Sequence, residues 1–280
     1  MIVGAGSVGS RRARLLAEMG HEVMIYDTDE ARADKLACAI GVPIVPCLYM
    51  AGWSATFVCT PAATHLPVAA EVIKAGCKGV FIEKPLSTSL LAVRNVVEEC
   101  ERRGVVTMGA CNMRWAYGSN IHTGYHTSIE TSRPLSGWRV GAPEAYAGNG
   151  IVMEAAIHDL DLAVWLNGPI GAMSAPDPAV WRYGDDHVRL HLTHTGRAET
   201  TIVADWRESA PTVRELVTTA TKGVRRCYRP DCGDDMYRQE MQHFLDHVAS
   251  WTPTSNPIAN AAETLRWALK ARDLTRKVAA

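Results

Sequence analysis

The first residue placed to do chemistry is Lys84, which lies in the sequence Glu83-Lys84-Pro85 directly after the apolar run 79–82. That run predicts a buried strand of a parallel sheet, and open α/β sheets bind ligands at the carboxyl ends of such strands. Pro85 disfavours a helical conformation for Lys84 and so restricts where its ammonium group points. We expect the amine to stabilise a developing alkoxide; the alternative is an exposed surface charge.

The second such residue is His158, in a stretch whose apolar period predicts a helix over 154–166. Glu154, His158, Asp161 and Trp165 share one face, and the other faces are mostly apolar. A helix that is buried nearly all round needs partners for such a polar stripe. An imidazole changes charge near neutral pH, so we expect His158 to act as a general base oriented by Glu154. The alternative is a core histidine with satisfied hydrogen bonds.

A glycine motif, G-x-G-x-x-G, occupies residues 4–9 between a predicted strand and a predicted helix. The backbone N–H groups of such a turn face a pyrophosphate, which predicts contacts from Gly4, Gly6, Ser7, Val8 and Gly9. The second predicted strand ends at Asp27, whose carboxylate can hold a ribose diol and would repel a 2′-phosphate. The motif therefore predicts NAD as the cofactor, with NADP kept as the second candidate by Arg11, Arg12 and Arg32. The alternative is a tight turn that needs glycine only for steric reasons.

Further polar residues follow other predicted strands of the same sheet. Thr60, Pro61 and His65 come after the third strand, where they can line the nicotinamide side of the cleft or simply cap a helix. Glu83 and Lys84 are also assigned to cofactor binding. After the last strand come Asn112, Arg114 and Trp115, which we assign to substrate binding together with Asp161. The alternative is that residues 112–115 form a hinge between domains.

The length of 280 residues predicts two domains at roughly 150 residues each. Short β-branched runs alternate with helical runs up to about residue 110, which predicts a Rossmann dinucleotide-binding domain over 1–113. Alternating runs then predict an α+β domain over 114–280 with an open, mostly antiparallel sheet, and with strands at 133–140, 187–194, 198–206 and 213–221. The last helix is a candidate to pack back on the first domain.

Composition narrows the class of protein. Hydrophobic residues make up 47% of the chain, and 29 Lys+Arg against 30 Asp+Glu leave a net charge of −1, so we expect no nucleic-acid partner. No basic or apolar leader opens the chain and no eighteen-residue apolar stretch occurs. We therefore expect a protein that is neither exported nor inserted in a membrane. The eight cysteines are scattered along the chain, so we expect reduced thiols in a cytoplasmic protein. We also expect no metal site.

Taken together, these motifs resemble the glucose-fructose oxidoreductase, inositol dehydrogenase and MocA-like (Gfo/Idh/MocA) family. The resemblance rests on the glycine motif at 4–9, on Thr60-Pro61 with His65, on Glu83-Lys84-Pro85 and on the helix from Glu154 to Asp161, and it extends over almost the whole chain. It implies a two-domain oxidoreductase that moves hydride between a nicotinamide and a sugar or cyclitol hydroxyl.

The resemblance also implies roles for individual residues. His158 matches the proton-transferring histidine of the family and Lys84 its contact to the substrate hydroxyl, while Glu154 stands where an aspartate is common. An uncovered apolar sheet face would imply a homo-oligomer, a dimer or tetramer formed through the second domain. Two other functions remain open: an NAD-dependent glycoside hydrolase of the same family, and a catalytically silent NAD-binding protein.

Overall fold

A computed structural model describes residues 1–49, 52–118, 120–138, 150–175 and 186–279. It separates into two compact units, Met1–Trp115 with Cys232–Glu263, and Ala116–Asp231 with Thr264–Ala280. The first break lies two residues from the predicted one. Residues 232–263, which we assigned to the second domain, group with the first unit.

The first unit is a parallel sheet flanked by helices. Its strands are β1 (Ile2–Val3), β2 (Ile25–Tyr26), β3 (Ala55–Val58), β4 (Gly79–Ile82) and β5 (Val106–Gly109). Its helices are α1 (Ser7–Glu18), α2 (Glu30–Ile40), α3 (His65–Lys74), α4 (Val93–Arg103) and the short α5 (Met113–Ala116), which ends at the unit boundary. A 3₁₀ turn, Ala62–Thr64, precedes α3.

The strand order of this sheet is β2-β1-β3-β4-β5, and every neighbouring pair is parallel. The order reverses between β1 and β3, and open α/β sheets bind ligands in the crevice at such a switch point. The turns after β1 and β3 hold the glycine motif and Thr60-Pro61, so the fold brings these two predicted parts of the site together.

A helix from the carboxyl-terminal half of the chain completes this core. The helix α8 (Asp234–Ser250) places Phe244 against Phe57 and Phe81, with ring centroids 5.3 and 5.6 Å away. A Cβ at Gly79 would lie 2.3 Å from a methyl group of Val248, so the glycine permits this close approach. Such aromatic packing explains why residues 232–263 belong to the first unit.

The second unit contains a mixed sheet in the order β11-β10-β6-β9-β8-β7. Its strands are β6 (His126–Ser132), β7 (Ile170–Ser174), β8 (His187–His194), β9 (Glu199–Asp205), β10 (Val213–Thr219) and β11 (Arg225–Tyr228). β6 and β9 run parallel and the other neighbours antiparallel, which confirms the predicted fold class. The helical segments are α6 (Leu135–Trp138), a π-helical stretch Val152–Ala156, α7 (Ile157–Asn167) and most of α9 (Ile258–Ala279).

One predicted strand of this sheet is wrong. Within 133–140, residues 135–138 form α6 and 139–140 lie outside the described residues. The strand is instead β6, whose inward side carries Thr127 and Thr131 beside the apolar Ile129, all three buried. The threonines hid the apolar alternation on which the prediction depended.

The two faces of the second sheet differ in polarity. Ile129, Leu190, Ile202 and Leu216 are fully buried on the inner side, over which the π-helical stretch and α7 pack. The described residues of the outer side include His126, Glu130, Arg189, His191 and Glu199, none of them fully buried. This mixed and largely polar face corrects the expectation of an uncovered apolar face.

All eight cysteines are free thiols. Within the described parts of the chain, no helix combines the length and hydropathy needed to cross a membrane.

Candidate functional site

The turn after β1 is shaped by contacts that exclude side chains. Gly4 has a φ of 97°, and a Cβ there would lie 2.7 Å from the carbonyl oxygen of Cys59. A Cβ at Gly9 would lie 1.8 Å from the carbonyl oxygen of Gly4. Steric reasons within the protein therefore account for these two glycines.

Gly6 requires a different explanation. A Cβ there would have no heavy atom within 4 Å, and its φ of −70° suits any residue. Gly6 is also the N-cap of α1, which has neither a side-chain cap nor an acidic residue in its first turn. An anion bound close to the backbone at this positive helix end would account for all three features, so the turn fits the pyrophosphate of NAD.

We expect the two glycines to respond differently to alanine. Gly6→Ala should unfold at the wild-type temperature yet bind NAD at least about tenfold more weakly, because the methyl group occupies only ligand space. Gly9→Ala should be thermally destabilised before any ligand is added. Thermal unfolding and calorimetric titration with NAD measure both effects, with Gly196→Ala in an open turn of the second unit as the control. Wild-type NAD affinity in Gly6→Ala would contradict this placement of the pyrophosphate.

Asp27 is held in place beside the glycine turn. Its carboxylate accepts hydrogen bonds from the backbone N–H groups of Ala5 and Asp29, at 2.7 and 2.9 Å, and its side chain is only 7% exposed. The guanidinium group of Arg32 lies 3.6 Å from Asp27 and 3.0 Å from Asp29. Arg32, a candidate for binding a 2′-phosphate, is thus already paired with two carboxylates. This pairing favours NAD over NADP.

His65 joins the turns that follow β3 and β4. Its Nε2 lies 2.6 Å from the carbonyl oxygen of Thr60 and its Nδ1 lies 2.8 Å from that of Pro85. Burial lowers the pKa of His65, while the two carbonyl oxygens oppose this shift. Because both ring nitrogens face backbone groups, the structure favours a positioning role over the predicted contact with the cofactor. The hydroxyl of Thr60, in contrast, is buried without a partner among the described residues and fits a ligand contact.

Glu83 and Lys84 follow β4 on the same edge of the sheet as the glycine turn. One carboxylate oxygen of Glu83 accepts from Arg12 at 2.6 Å and the other accepts from the backbone N–H of Lys84 at 3.2 Å. Since the protein itself engages both oxygens, the geometry favours a structural role for Glu83 over the predicted cofactor contact. Lys84 lies at the carboxyl end of the strand, as predicted.

The residues after β5 divide into two groups. Arg114 is buried and donates to the backbone carbonyl of Ser255 at 3.1 Å, and the ring of Trp115 lies 5.5 Å from that of His243. These contacts lie within the first unit and favour structural roles over the predicted contacts with a substrate. The side-chain oxygen of Asn112 is buried with no partner in the described chain, so Asn112 keeps its predicted role as a ligand contact.

The second unit carries the predicted general base. Glu154 lies in the π-helical stretch Val152–Ala156, and His158 and Asp161 lie in α7. The prediction of one continuous α-helix over 154–166 therefore needs correction, because the helix begins with a wider turn. π-Turns of this kind are frequent at functional sites. Glu154 and Asp161 are buried and His158 is partly exposed, an arrangement that allows the imidazole to reach a ligand.

Asp159, which no sequence pattern singles out, anchors α7 to the sheet. Its Oδ1 accepts a hydrogen bond of 3.1 Å from the hydroxyl of Thr131 on β6, while its Oδ2 is buried without a hydrogen-bond partner in the described chain. Burial raises the pKa of this carboxyl to about 7, although the charge of Arg214 and the Thr131 bond oppose the shift. The residue next to His158 is thus a carboxyl group that folding favours in its neutral form.

This burial predicts a pH-dependent stability. Between the ordinary pKa near 4 and about 7, folded Asp159 holds a proton that the unfolded chain has released, so stability falls as pH rises. We expect the wild-type unfolding temperature, relative to that of Asp159→Asn, to drop by several degrees from about pH 5 to about pH 8. Thermal scans across this range test it, with the exposed Asp273→Asn as the control. A constant difference between wild type and Asp159→Asn would contradict the assignment.

Comparison with protein families identifies the first unit. Residues 1–110 match the Gfo/Idh/MocA family, described as an oxidoreductase family with an NAD-binding Rossmann fold. The match confirms the predicted family and, at the level of that family, the oxidoreductase class and NAD as cofactor. No curated protein sequence matches the chain.

Solved structures resemble the chain over its full length. UDP-N-acetylglucosamine 3-dehydrogenase GnnA from Acidithiobacillus ferrooxidans aligns with a TM-score of 0.83 at 18% identity, covering 100% of this chain and 98% of its own. Myo-inositol 2-dehydrogenase from Lactobacillus plantarum gives 0.79 at 18% identity, covering 99% and 96%. An oxidoreductase from Agrobacterium radiobacter, in complex with NAD⁺, L-tartaric acid and magnesium, gives 0.77 at 16% identity, covering 98% and 95%.

At these identities the likeness establishes the fold, while the family match identifies the nucleotide-binding domain. Residues 1–110 therefore match the Gfo/Idh/MocA family of oxidoreductases with an NAD-binding Rossmann fold, and the whole chain has the fold of the three enzymes named above.

Proposed function

We propose that the protein is an NAD-dependent dehydrogenase that acts on a hydroxyl-bearing carbon of a sugar, a cyclitol or a sugar derivative. The observation that carries this proposal is the position of Lys84. It follows β4 on the sheet edge that also holds the open glycine turn, and this supports a location of its amine near a dinucleotide bound at the switch point.

The proposed roles follow from the chemistry of the side chains. NAD, when bound, accepts the hydride that leaves the substrate carbon. Lys84 stabilises the negative charge that develops on the substrate oxygen, and His158 takes up the hydroxyl proton, oriented by Glu154. Asn112 and Asp161 offer hydrogen bonds to other hydroxyl groups of the substrate.

The substrate class is supported by the solved structures of similar fold. Two of the three named above are dehydrogenases, one of UDP-N-acetylglucosamine and one of myo-inositol. Both substrates contain a ring that carries several hydroxyl groups. Such a substrate suits a site with a cationic amine, an imidazole and amide or carboxylate groups.

Two further properties belong to the same proposal. We propose a homo-oligomer that associates through the outer face of the second sheet, where His126, Glu130, Arg189 and His191 offer polar contacts across a symmetric interface. We also propose a cytoplasmic location, because all eight cysteines are free thiols.

The test is a turnover assay with NAD and a panel of free sugars, cyclitols, sugar acids and nucleotide sugars. The proposal predicts NADH in a one-to-one ratio with oxidised product for at least one compound. Release of sugar from aryl glycosides without net NADH would instead indicate an NAD-dependent hydrolase. NAD binding in calorimetry without turnover of any compound would indicate a protein that only binds the nucleotide.

A further inference from the structure

A buried cluster of three charged residues lies under the proposed site. Arg12, on α1, is fully buried, and its guanidinium group packs 4.3 Å from the centre of the Phe81 ring. Its Nε donates to Glu83 at 2.6 Å and its Nη2 donates to Glu240, on α8, at 2.8 Å. A buried arginine is costly unless it is paired in this manner.

The two carboxylates of the cluster also accept hydrogen bonds from the backbone of two loops of the proposed site. Glu83 accepts from the N–H of Lys84 at 3.2 Å, and Glu240 accepts from the N–H of Cys111, the residue before Asn112, at 2.6 Å. One guanidinium group therefore links the helix after the glycine turn to the loops that carry Lys84 and Asn112. All of these contacts lie within the first unit.

Stability alone is a weak reason for such a cluster, since well-packed apolar residues often replace buried ion pairs without loss. Two carboxylates also share one guanidinium group, which leaves an excess negative charge in the core. Burial raises the pKa of Glu240 to about 6, although the positive charge of Arg12 opposes this shift. What the cluster offers beyond stability is a fixed direction: fork-shaped guanidinium donors hold each carboxylate in one orientation.

We propose that Arg12 and Glu240 are positioning residues, which act through Glu83 and through the Cys111 N–H to fix the loops that carry Lys84 and Asn112. The inference rests on the proposed role of Lys84 in the reaction. Neither residue has to touch cofactor or substrate. Loosening the first loop would move the reacting amine of Lys84, and loosening the second would move the substrate contact of Asn112. Small displacements of groups that react or that orient the substrate slow reactions strongly.

The experiment uses the full chain and the variant Glu240→Gln. Glutamine has a single acceptor oxygen, so it must give up the bond to Arg12 or the bond to Cys111. The matched control is Glu98→Gln, which removes a carboxylate from an exposed ion pair with Arg94 on α4. Arg12→Lys, which keeps the charge but loses the fork, is the second variant and provides the test should Glu240→Gln not fold.

Two measurements together test the proposal. Hydrogen–deuterium exchange should be about tenfold or more faster at the amides of Lys84 and Cys111 in the cluster variants, and unchanged in Glu98→Gln. In turnover assays, kcat should fall about tenfold or more, while NAD affinity stays within about twofold. Unchanged exchange would overturn the proposal, and so would faster exchange at an unchanged kcat, since the cluster would then only stabilise the fold.

The exchange measurement needs no substrate. If the wild-type protein turns over no member of the panel, the proposed function fails. Faster exchange at Lys84 and Cys111 in Glu240→Gln would still show that the cluster holds the two loops.

Discussion

Replacement of Lys84 by methionine is expected to lower kcat by about a hundredfold to a thousandfold and to leave NAD affinity within about twofold of the wild-type value. Methionine keeps much of the length of the side chain but removes the cation that stabilises the substrate oxygen, and the loss of one such group has effects of this size. Steady-state kinetics with a substrate from the panel and calorimetry with NAD measure the two quantities.

The control for this variant is Lys78→Met. Lys78 precedes the same strand, β4, is exposed, and lies at the end of the strand opposite to Lys84. Its replacement should leave both quantities unchanged. Wild-type turnover in Lys84→Met would remove Lys84 from the mechanism, and weaker NAD binding with an unchanged kcat would make it only a cofactor contact.

The second large effect is expected at His158. His158→Ala should lower kcat by about a hundredfold to ten-thousandfold, which is the usual contribution of general acid–base catalysis. Because the substitution leaves space where the ring was, added imidazole should restore part of the activity in proportion to its concentration. The kinetics of His158→Ala with and without imidazole provide the test.

His122→Ala is the matched control, because His122 is an exposed histidine of the same unit. It should retain wild-type kcat and show no response to imidazole. A His158→Ala variant with normal turnover would show that a different group accepts the proton. A loss that imidazole does not reverse, together with a lower unfolding temperature, would assign His158 to the core.

The nucleotide-binding half could be predicted from the sequence because its signals are local. The glycine motif, Asp27 and Glu83-Lys84-Pro85 each follow a short apolar run, and parallel strands bring their carboxyl ends to one edge. The structure adds the reason for each glycine. Gly4 and Gly9 avoid the protein's own backbone, whereas Gly6 faces open space.

Contacts between residues that are far apart in the sequence could not be predicted in this way. Arg12 and Glu240 are separated by 228 positions, and no periodicity relates α8 to the first sheet. The packing of Phe244 on Phe57 and Phe81 likewise joins rings that are far apart in the sequence. A pattern that spans a few turns or strands carries no information on which helix returns to which sheet.

The second unit was harder to predict because polar residues take buried places. β6 directs threonines inward, and one of them, Thr131, bonds to the buried Asp159. The π-helical stretch around Glu154 likewise has no simple sequence signal. Both features concern the helix that carries His158, where local sequence rules are expected to give way to function.

The transfer of hydride from a substrate carbon to NAD can be followed with a single deuterium atom. A substrate from the panel that carries deuterium on its reacting carbon is incubated with NAD and the protein, and the nicotinamide product is analysed by mass spectrometry. We expect one deuterium on the NADH formed, at a rate that Lys84→Met and His158→Ala both reduce. NADH without deuterium, or deuterium transfer that neither substitution slows, would contradict the proposed mechanism.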